Sequence, residues 1–280
     1  MKEVKVCYTE AHNLGDVLNK LIIENVMEYC VINSSRFRCQ TTGIGSGLAR
    51  FFVPESRFKH SPKGILSMVV GKMAPSLQVW SAGFLSYPTE KEYSLRRNVN
   101  VSSVRGEITR KRLESILNKK LDVPTGDGGL LASCLIKNPI KKKYQIGVIP
   151  HMKEKEEMRF KELLNQYDKS VLIDITGEAM SVLQTISECE FILSSGLHGL
   201  IVADSFGIPN KRLIYTNRLS GDGYKFDDYY SSFNVSPDPF NLNEGEYPTI
   251  NSIIDDYMIL KNQVEQKKKE IVKCFSQYIG

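Results

Sequence analysis

The chain reads as an α/β protein made of two halves, each alternating short buried strands with helices, with a cleft between them. Three observations predict this. The first is Phe191 to Pro209, where an apolar run (Phe191-Ile192-Leu193) is broken by Ser194-Ser195-Gly196. A small-residue helix follows, and Gly207 and Pro209 stop it. The second is the opening of the chain. Val4 to Tyr8 is apolar enough for a buried strand and Thr9 to Gly15 is a loop. From Asp16 onward Val17, Leu18, Leu21, Ile22, Val26 and Met27 fall on one helical face. The third is Asn138 to Lys143, a polar segment with Pro139 and a lysine run, after which the alternation restarts. The expected division is 1–140 and 141–280.

Within the first half, Asp16 is placed to cap the opening helix and also to put a carboxylate at the lip of the cleft. Gly43-Ile44-Gly45-Ser46-Gly47 is a turn or a close backbone approach to a ligand. Residues 50–76 form an excursion rich in Arg, Lys, Ser and Pro, with an apolar segment from Ile65 to Val70. Leu77 to Ala82 is a strand that carries the one tryptophan, Trp80, as a core residue. Val99 to Val104 is a strand, and a helix runs to about Leu117. Arg105 stands at that strand-to-helix junction, where a guanidinium either grips an anion or makes a salt bridge. Thr125-Gly126-Asp127-Gly128-Gly129 is a loop.

In the second half, Tyr144 to Ile149 is a strand ending in Pro150-His151-Met152-Lys153. A helix from Glu154 to Tyr167, a strand from Val171 to Ile175 and a helix from Ala179 to Ile186 follow, then the 191–209 unit. In open α/β sheets ligands bind at the carboxyl ends of strands, and helix N-termini suit anions. That places His198, His151 and Lys153 at the cleft. Lys225 to Tyr230, after Gly221 and Gly223, reads as a mobile loop that closes on a ligand. Thr249 to Tyr278 reads as one long helix packing back across both halves.

Composition excludes several classes. With 41% hydrophobic and 25% charged residues, the 280-residue chain is of globular type. No apolar run approaches the ~18 residues of a membrane span, and the first residues are too weakly apolar for a signal peptide. Six scattered cysteines without a Cys-x-x-Cys pair point to reduced thiols in the cytoplasm rather than to a zinc site. The net charge of +5 is mild, and Lys141-Lys142-Lys143 and Lys267-Lys268-Lys269 lack interleaved aromatics. Both runs read as solvated faces, and nucleic acid is not an expected partner.

Seven short motifs then occur in one order: Asn13-x-Gly15-Asp16, Gly43-x-Gly45-Ser46, Trp80-x-x-Gly83, Val104-Arg105-Gly106-x-x-Thr109-Arg110, Gly147-Val148-Ile149-Pro150-His151, Ser194-Ser195-x-Leu197-His198-Gly199-Leu200-Ile201, and Lys225-Phe226-x-Asp228-Tyr229-Tyr230. Together, over residues 4–235, they resemble the polysaccharide pyruvyl transferase family, and within it the ketal-pyruvate transferases of exopolysaccharide assembly. The resemblance implies two Rossmann-like lobes arranged as in the GT-B glycosyltransferases. It implies phosphoenolpyruvate as donor and co-substrate, with no cofactor and no metal. The implied acceptor is a sugar of a surface polysaccharide or of its polyprenyl-diphosphate-linked precursor. The family's donor-binding block maps onto Ser194, Ser195, Gly196, Leu197 and His198, with Arg105, His151, Lys153 and Lys225 as clamps for the donor's charges. Asn13, Gly15, Asp16, Gly45 and Ser46 fall on the acceptor side.

Ketal formation protonates the methylene carbon of the donor, adds a sugar hydroxyl to C2, expels phosphate and closes the ring with a second hydroxyl. His198 is then the acid or the phosphate partner, and Asp16 orients or deprotonates the acceptor. The sequence departs from the family at Gly196, where many members carry Arg or Ser, and at Asp127-Gly128-Gly129, which replaces Asp-Pro-Ala. A GT-B glycosyltransferase using a nucleotide sugar and a non-catalytic scaffold are the rival expectations. A lipid-linked acceptor would bring the chain to the inner face of the cell membrane, with the lysine-rich last helix as the contact.

Overall fold

The computed structural model describes residues 1–10, 13–59, 61–219 and 221–278. The first half contains β1 (Lys2–Val6), α1 (Leu14–Asn25), β2 (Tyr29–Asn33), β3 (Thr41–Thr42), β4 (Phe52–Pro54), α2 (Ser56–Lys59), α3 (Pro62–Met73), β5 (Leu77–Val79), β6 (Glu92–Ser94), β7 (Val99–Val101) and α4 (Glu107–Leu117). The second contains β8 (Tyr144–Ile149), α5 (Met158–Leu164), β9 (Ser170–Leu172), α6 (Ala179–Ser187), β10 (Cys189–Ser194), α7 (Leu197–Ser205), β11 (Asn210–Ile214), α8 (Tyr224–Ser231), β12 (Phe240–Asn241), α9 (Ile250–Asp255) and α10 (Lys261–Tyr278).

Two five-stranded sheets result, with orders β2-β1-β3-β5-β7 and β12-β11-β10-β8-β9. Every pairing within them is parallel. Counting only its own strands, each sheet runs 2-1-3-4-5, the second read from its other edge. The order reverses between the first and third strand of such a sheet, and this opens a crevice at the carboxyl ends. The crevices lie beside β1 and β3 in one sheet and beside β8 and β10 in the other. The architecture is therefore Rossmann-like α/β. The pair β4 and β6 is a separate antiparallel ribbon.

Local chemistry sets the element ends. Asn13, not Asp16, caps α1: its side chain accepts the Gly15 N–H, and Asp16 sits inside the first turn. Glu178 caps α6 by accepting from the N–H groups of Met180 and Ser181. Asp127 accepts the Gly129 N–H and opens a 3-10 segment from Gly128 to Leu135, so the last two residues of the expected loop are helical and Thr125 to Asp127 are not. Gly207, at φ 67°, takes the left-handed turn that ends α7.

One apolar core joins the halves. Leu18 and Ile22 of α1, Trp80, and Leu130 and Leu131 pack with Leu200 and Ile201 of α7 and with Ile271 and Phe275 of α10. The indole N–H of Trp80 donates to the Ile271 carbonyl at 3.0 Å.

Three expectations change. The segment from Lys225 to Tyr230 is not a loop but lies in α8, because Phe226, Tyr229 and Tyr230 bury one helical face. The chain from Thr249 to Tyr278 is two helices, broken between Asp255 and Lys261. Lys267 and Lys268 are not a solvated face: Lys267 donates to the Thr125 carbonyl, and Lys268 to the Ser205 carbonyl and the Ser133 hydroxyl. Among the described residues, no helix is long and apolar enough to cross a membrane.

Candidate functional site

The loops at the two crevices face each other across a cavity of about 320 Å³. From the first half it is lined by Cys7, Tyr8, Thr9, Asn13 and Asp16 after β1, and by Ile44, Gly45, Ser46, Gly47 and Arg50 after β3. The second half supplies His151 and Met152 after β8, Ile175 after β9, Gly196, Leu197 and His198 after β10, and Lys225 of α8. Cations therefore approach from both sides, Arg50 from one half and Lys225 from the other.

His198, in the first turn of α7, is the side chain around which the walls close. Its imidazole packs against Gly15, where an added Cβ would stand 2.2 Å from Nδ1 and Cε1. Gly45, at φ 101°, faces the same ring from the next loop. The Nε2 atom is sealed from solvent and has no hydrogen-bond partner among the described residues. Burial, with Lys225, Arg105 and His151 nearby, pushes its pKa down to about 3. His151 is pushed down to about 4 by burial and by Lys225. Both imidazoles are neutral at physiological pH. Burial lowers Lys225 to about 8, helped by Arg105 and Arg212. Burial raises the Asp16 carboxyl, and Arg50 opposes it.

The helix behind His198 adds a directional field. Gly196 caps α7 without a side-chain hydrogen bond, and the first amides of a helix lack intrahelical acceptors. Those amides and the positive end of the helix dipole favour a negative charge in front of them. A Cβ on Gly196 would meet only Ser194 Oγ at 3.7 Å and His151 Cα at 3.8 Å. There is room for a larger side chain, so this glycine answers no steric demand.

The floor is rigid. Asn19 donates to the carbonyls of Gly15, Asp16 and Ile44 and so ties α1 to the glycine loop. Across the cavity the Asn13 amide donates to Met152 Sδ at 3.6 Å, and the Leu14 N–H to the Ile175 carbonyl at 3.1 Å.

The structure brings Asn13, Gly15, Asp16, Gly45, Ser46, His151, Gly196, Leu197, His198 and Lys225 together and leaves four of the expected residues out. The Ser194 hydroxyl donates to the carbonyls of Ile149 and Gly196, and that of Ser195 donates to Glu154 at 2.6 Å and accepts from the His151 N–H. Both are fully buried parts of the turn. Lys153 is exposed, with its amine on the Arg218 carbonyl. Arg105 is fully buried and donates to Asp228 at 2.8 Å, to Ser46 Oγ at 2.8 Å and to the Phe84 carbonyl at 2.6 Å. It grips the protein rather than a ligand.

Asp228 also accepts from the backbone and hydroxyl of Thr109, both at 2.7 Å. A Cβ on Gly106 would fall 1.6 Å from the Asp228 carbonyl oxygen. The motifs Arg105-Gly106-x-x-Thr109 and Lys225-x-x-Asp228 thus form a joint between the halves, and Lys225 alone reaches the cleft. The sequence reading missed Arg50, which bonds the Cys7 thiol and the Thr9 hydroxyl. Its position three residues after Gly47 was the available signal.

Comparison with known proteins gives three results. An uncharacterised protein of Acanthamoeba polyphaga mimivirus is 32% identical over 184 residues, 60% of this chain and 62% of that protein. The match thus spans less than two thirds of that relative's length. A functionally uncharacterised Klebsiella pneumoniae protein of known structure aligns over 86% of this chain and 92% of its own, with 15% identity and a TM-score of 0.46. Residues 78–210, from β5 to the start of β11, match the family model of the polysaccharide pyruvyl transferases, and this match supports that family for the chain.

Proposed function

We propose that the cleft binds phosphoenolpyruvate and transfers its pyruvyl group to two hydroxyls of a saccharide, forming a ketal and releasing phosphate. The family match supports pyruvyl transfer to a polysaccharide. The observation that carries the rest is His198: a neutral imidazole that lines the cleft at a helix start, in a cavity that Arg50 and Lys225 enter from opposite halves. Such a group is set for an anion that brings charge and recruits a proton.

In this reading the chain forms two lobes, 1–140 for the acceptor and 141–280 for the donor, arranged as in GT-B enzymes. Arg50, Lys225 and the α7 amides hold the phosphate and carboxylate. Arg50 supplies the charge that Gly196 does not. The donor's negative charge raises the His198 pKa, so binding loads a proton onto the ring. That proton goes to the methylene carbon. Asp16, whose carboxyl burial has raised, orients the attacking hydroxyl with Asn13 and Ser46. Asp16 takes the first hydroxyl's proton as its oxygen bonds to C2, the C2–O bond to phosphate breaks, and the second hydroxyl closes the ring at C2 with its proton leaving on the phosphate; no further cofactor enters.

The test is mass spectrometry of a candidate lipid-linked saccharide after incubation with phosphoenolpyruvate. The expected product carries one pyruvate ketal, with phosphate released in step. The His198→Ala protein should release phosphate roughly 10²–10⁴-fold more slowly, the usual worth of an acid–base group. Normal release by that variant would refute the role of His198, and transfer from a uridine nucleotide sugar instead would refute the reading.

A further inference from the structure

The helix α3 is turned inside out. Its less exposed residues are Gly64, Ser67, Met68 and Gly71, and Ile65, Leu66, Val69, Val70 and Met73 are 40–83% exposed. Close docking of the glycine side enforces this. A Cβ on Gly64 would lie 2.0 Å from the Arg57 carbonyl, and one on Gly71 2.5 Å from the Leu95 carbonyl. At about 100° per residue the five apolar side chains fall within roughly 140° of the helix circumference, and Lys63 and Lys72 lie about 20° beyond its two edges. A contiguous apolar stripe on the surface of a folded chain marks an interaction site.

The charge around the stripe identifies the partner. From Ser56 to Thr89 the chain has no Asp or Glu, and Arg57, Lys63 and Lys72 lie within or beside the helix, while Lys59 is paired with Glu55. A groove of about 240 Å³ runs along the helix foot and is lined by Arg36, Arg57, Lys63 and Ser67. Arg36 reaches the Ser67 hydroxyl at 3.4 Å. An apolar stripe bordered by lysines, above a groove with two arginines, matches acyl chains beneath a layer of anionic headgroups.

We propose that α3 docks this protein in the interface of an anionic phospholipid bilayer, with the five apolar side chains in the acyl boundary and Arg36, Arg57 and Lys63 at the phosphates. The helix lies in the membrane plane and does not span it. The lysine-rich α10, expected from the sequence to make this contact, has Lys267 and Lys268 engaged inside the protein. The proposal stands apart from the reaction assigned to the cleft.

The experiment is flotation of the full chain with vesicles of phosphatidylcholine alone and of phosphatidylcholine mixed with phosphatidylglycerol, with analytical ultracentrifugation beside it. Wild type should float with the mixed vesicles, weakly with the neutral ones, and less as salt rises. Leu66→Glu/Val70→Glu, at exposed positions, should keep the wild-type unfolding midpoint and lose mixed-vesicle binding by about tenfold or more, while Lys269→Glu on α10 should bind as wild type does. Wild type failing to float, equal binding to neutral vesicles, or equal binding by the double variant would overturn the proposal. So would a dimer that this variant dissociates without any vesicle binding, since a second copy would then be the occupant.

Discussion

Two junctions between the halves use the same device and end differently. At one, Gly106 admits the backbone of Asp228, whose carboxylate takes donors from Arg105 and Thr109. At the other, Gly15 admits the ring of His198, whose Nε2 has no partner. Both glycines lie at strand-to-helix turns, and both receive a group from the other half. The first junction fastens the halves through a buried ion pair, the second through the Leu14 N–H on the Ile175 carbonyl, with the ring nitrogen left over. A polar group that folding seals but leaves unpaired carries a cost, and His198 Nε2 is such a group beside the cleft.

The comparison is broken most severely at the first junction. Asp228→Asn leaves the guanidinium of Arg105 buried beside a neutral amide, with neither side chain exposed in the native pair. Unfolding in urea should show a loss of about 3–5 kcal/mol, the usual result of stripping one partner from a buried ion pair. A change within the range of a surface salt bridge would mean that the joint is not what holds the halves.

Gly15→Ala sharpens the other side. The new methyl group must displace the imidazole, and a shift of this kind in a reacting group costs on the order of 10²-fold in rate. Catalysis should fall while the urea midpoint stays near that of wild type. Loss of folding with loss of activity would make Gly15 a packing residue like Gly106.

A smaller effect appears in the pH dependence of stability. His198 and His151 have pKa values pushed from 6.5 to about 3 and about 4. As pH falls through 6.5 the unfolded chain takes up protons that the folded chain refuses, so these two residues make the protein less stable toward acid. Asp127 and Asp204, raised by burial from 3.8 to about 6, act in the opposite direction between those values. His198→Asn isolates one contribution: relative to wild type, the variant should gain stability steadily from pH 6.5 toward 4. Parallel curves would mean that His198 titrates normally.

The alternation of strands and helices was legible because buried parallel strands are short apolar runs and their helices carry one apolar face. Gly45 was legible as a turn or a close approach, and its φ of 101° beside the His198 ring shows both, whereas the close contact of Gly15 with that ring was not legible. Arg105 was ambiguous for a physical reason. The end of a strand before a helix suits an anion and a joint between lobes equally, and the deciding partner, Asp228, is 123 residues away. Ser194 and Ser195 look like ligand hydroxyls in sequence, but a buried turn needs its own hydrogen bonds, and they supply them. The inverted helix α3 was visible only as an apolar segment, because its direction depends on which neighbour its glycines touch.

The most direct test of the central claim is calorimetric titration of phosphoenolpyruvate into wild type and His198→Asn at neutral pH, in buffers of different ionisation enthalpy. One site is expected, with proton uptake on binding to wild type and loss of that uptake with at least about tenfold weaker binding in the variant. Equal affinity and equal proton uptake in the two proteins would contradict it.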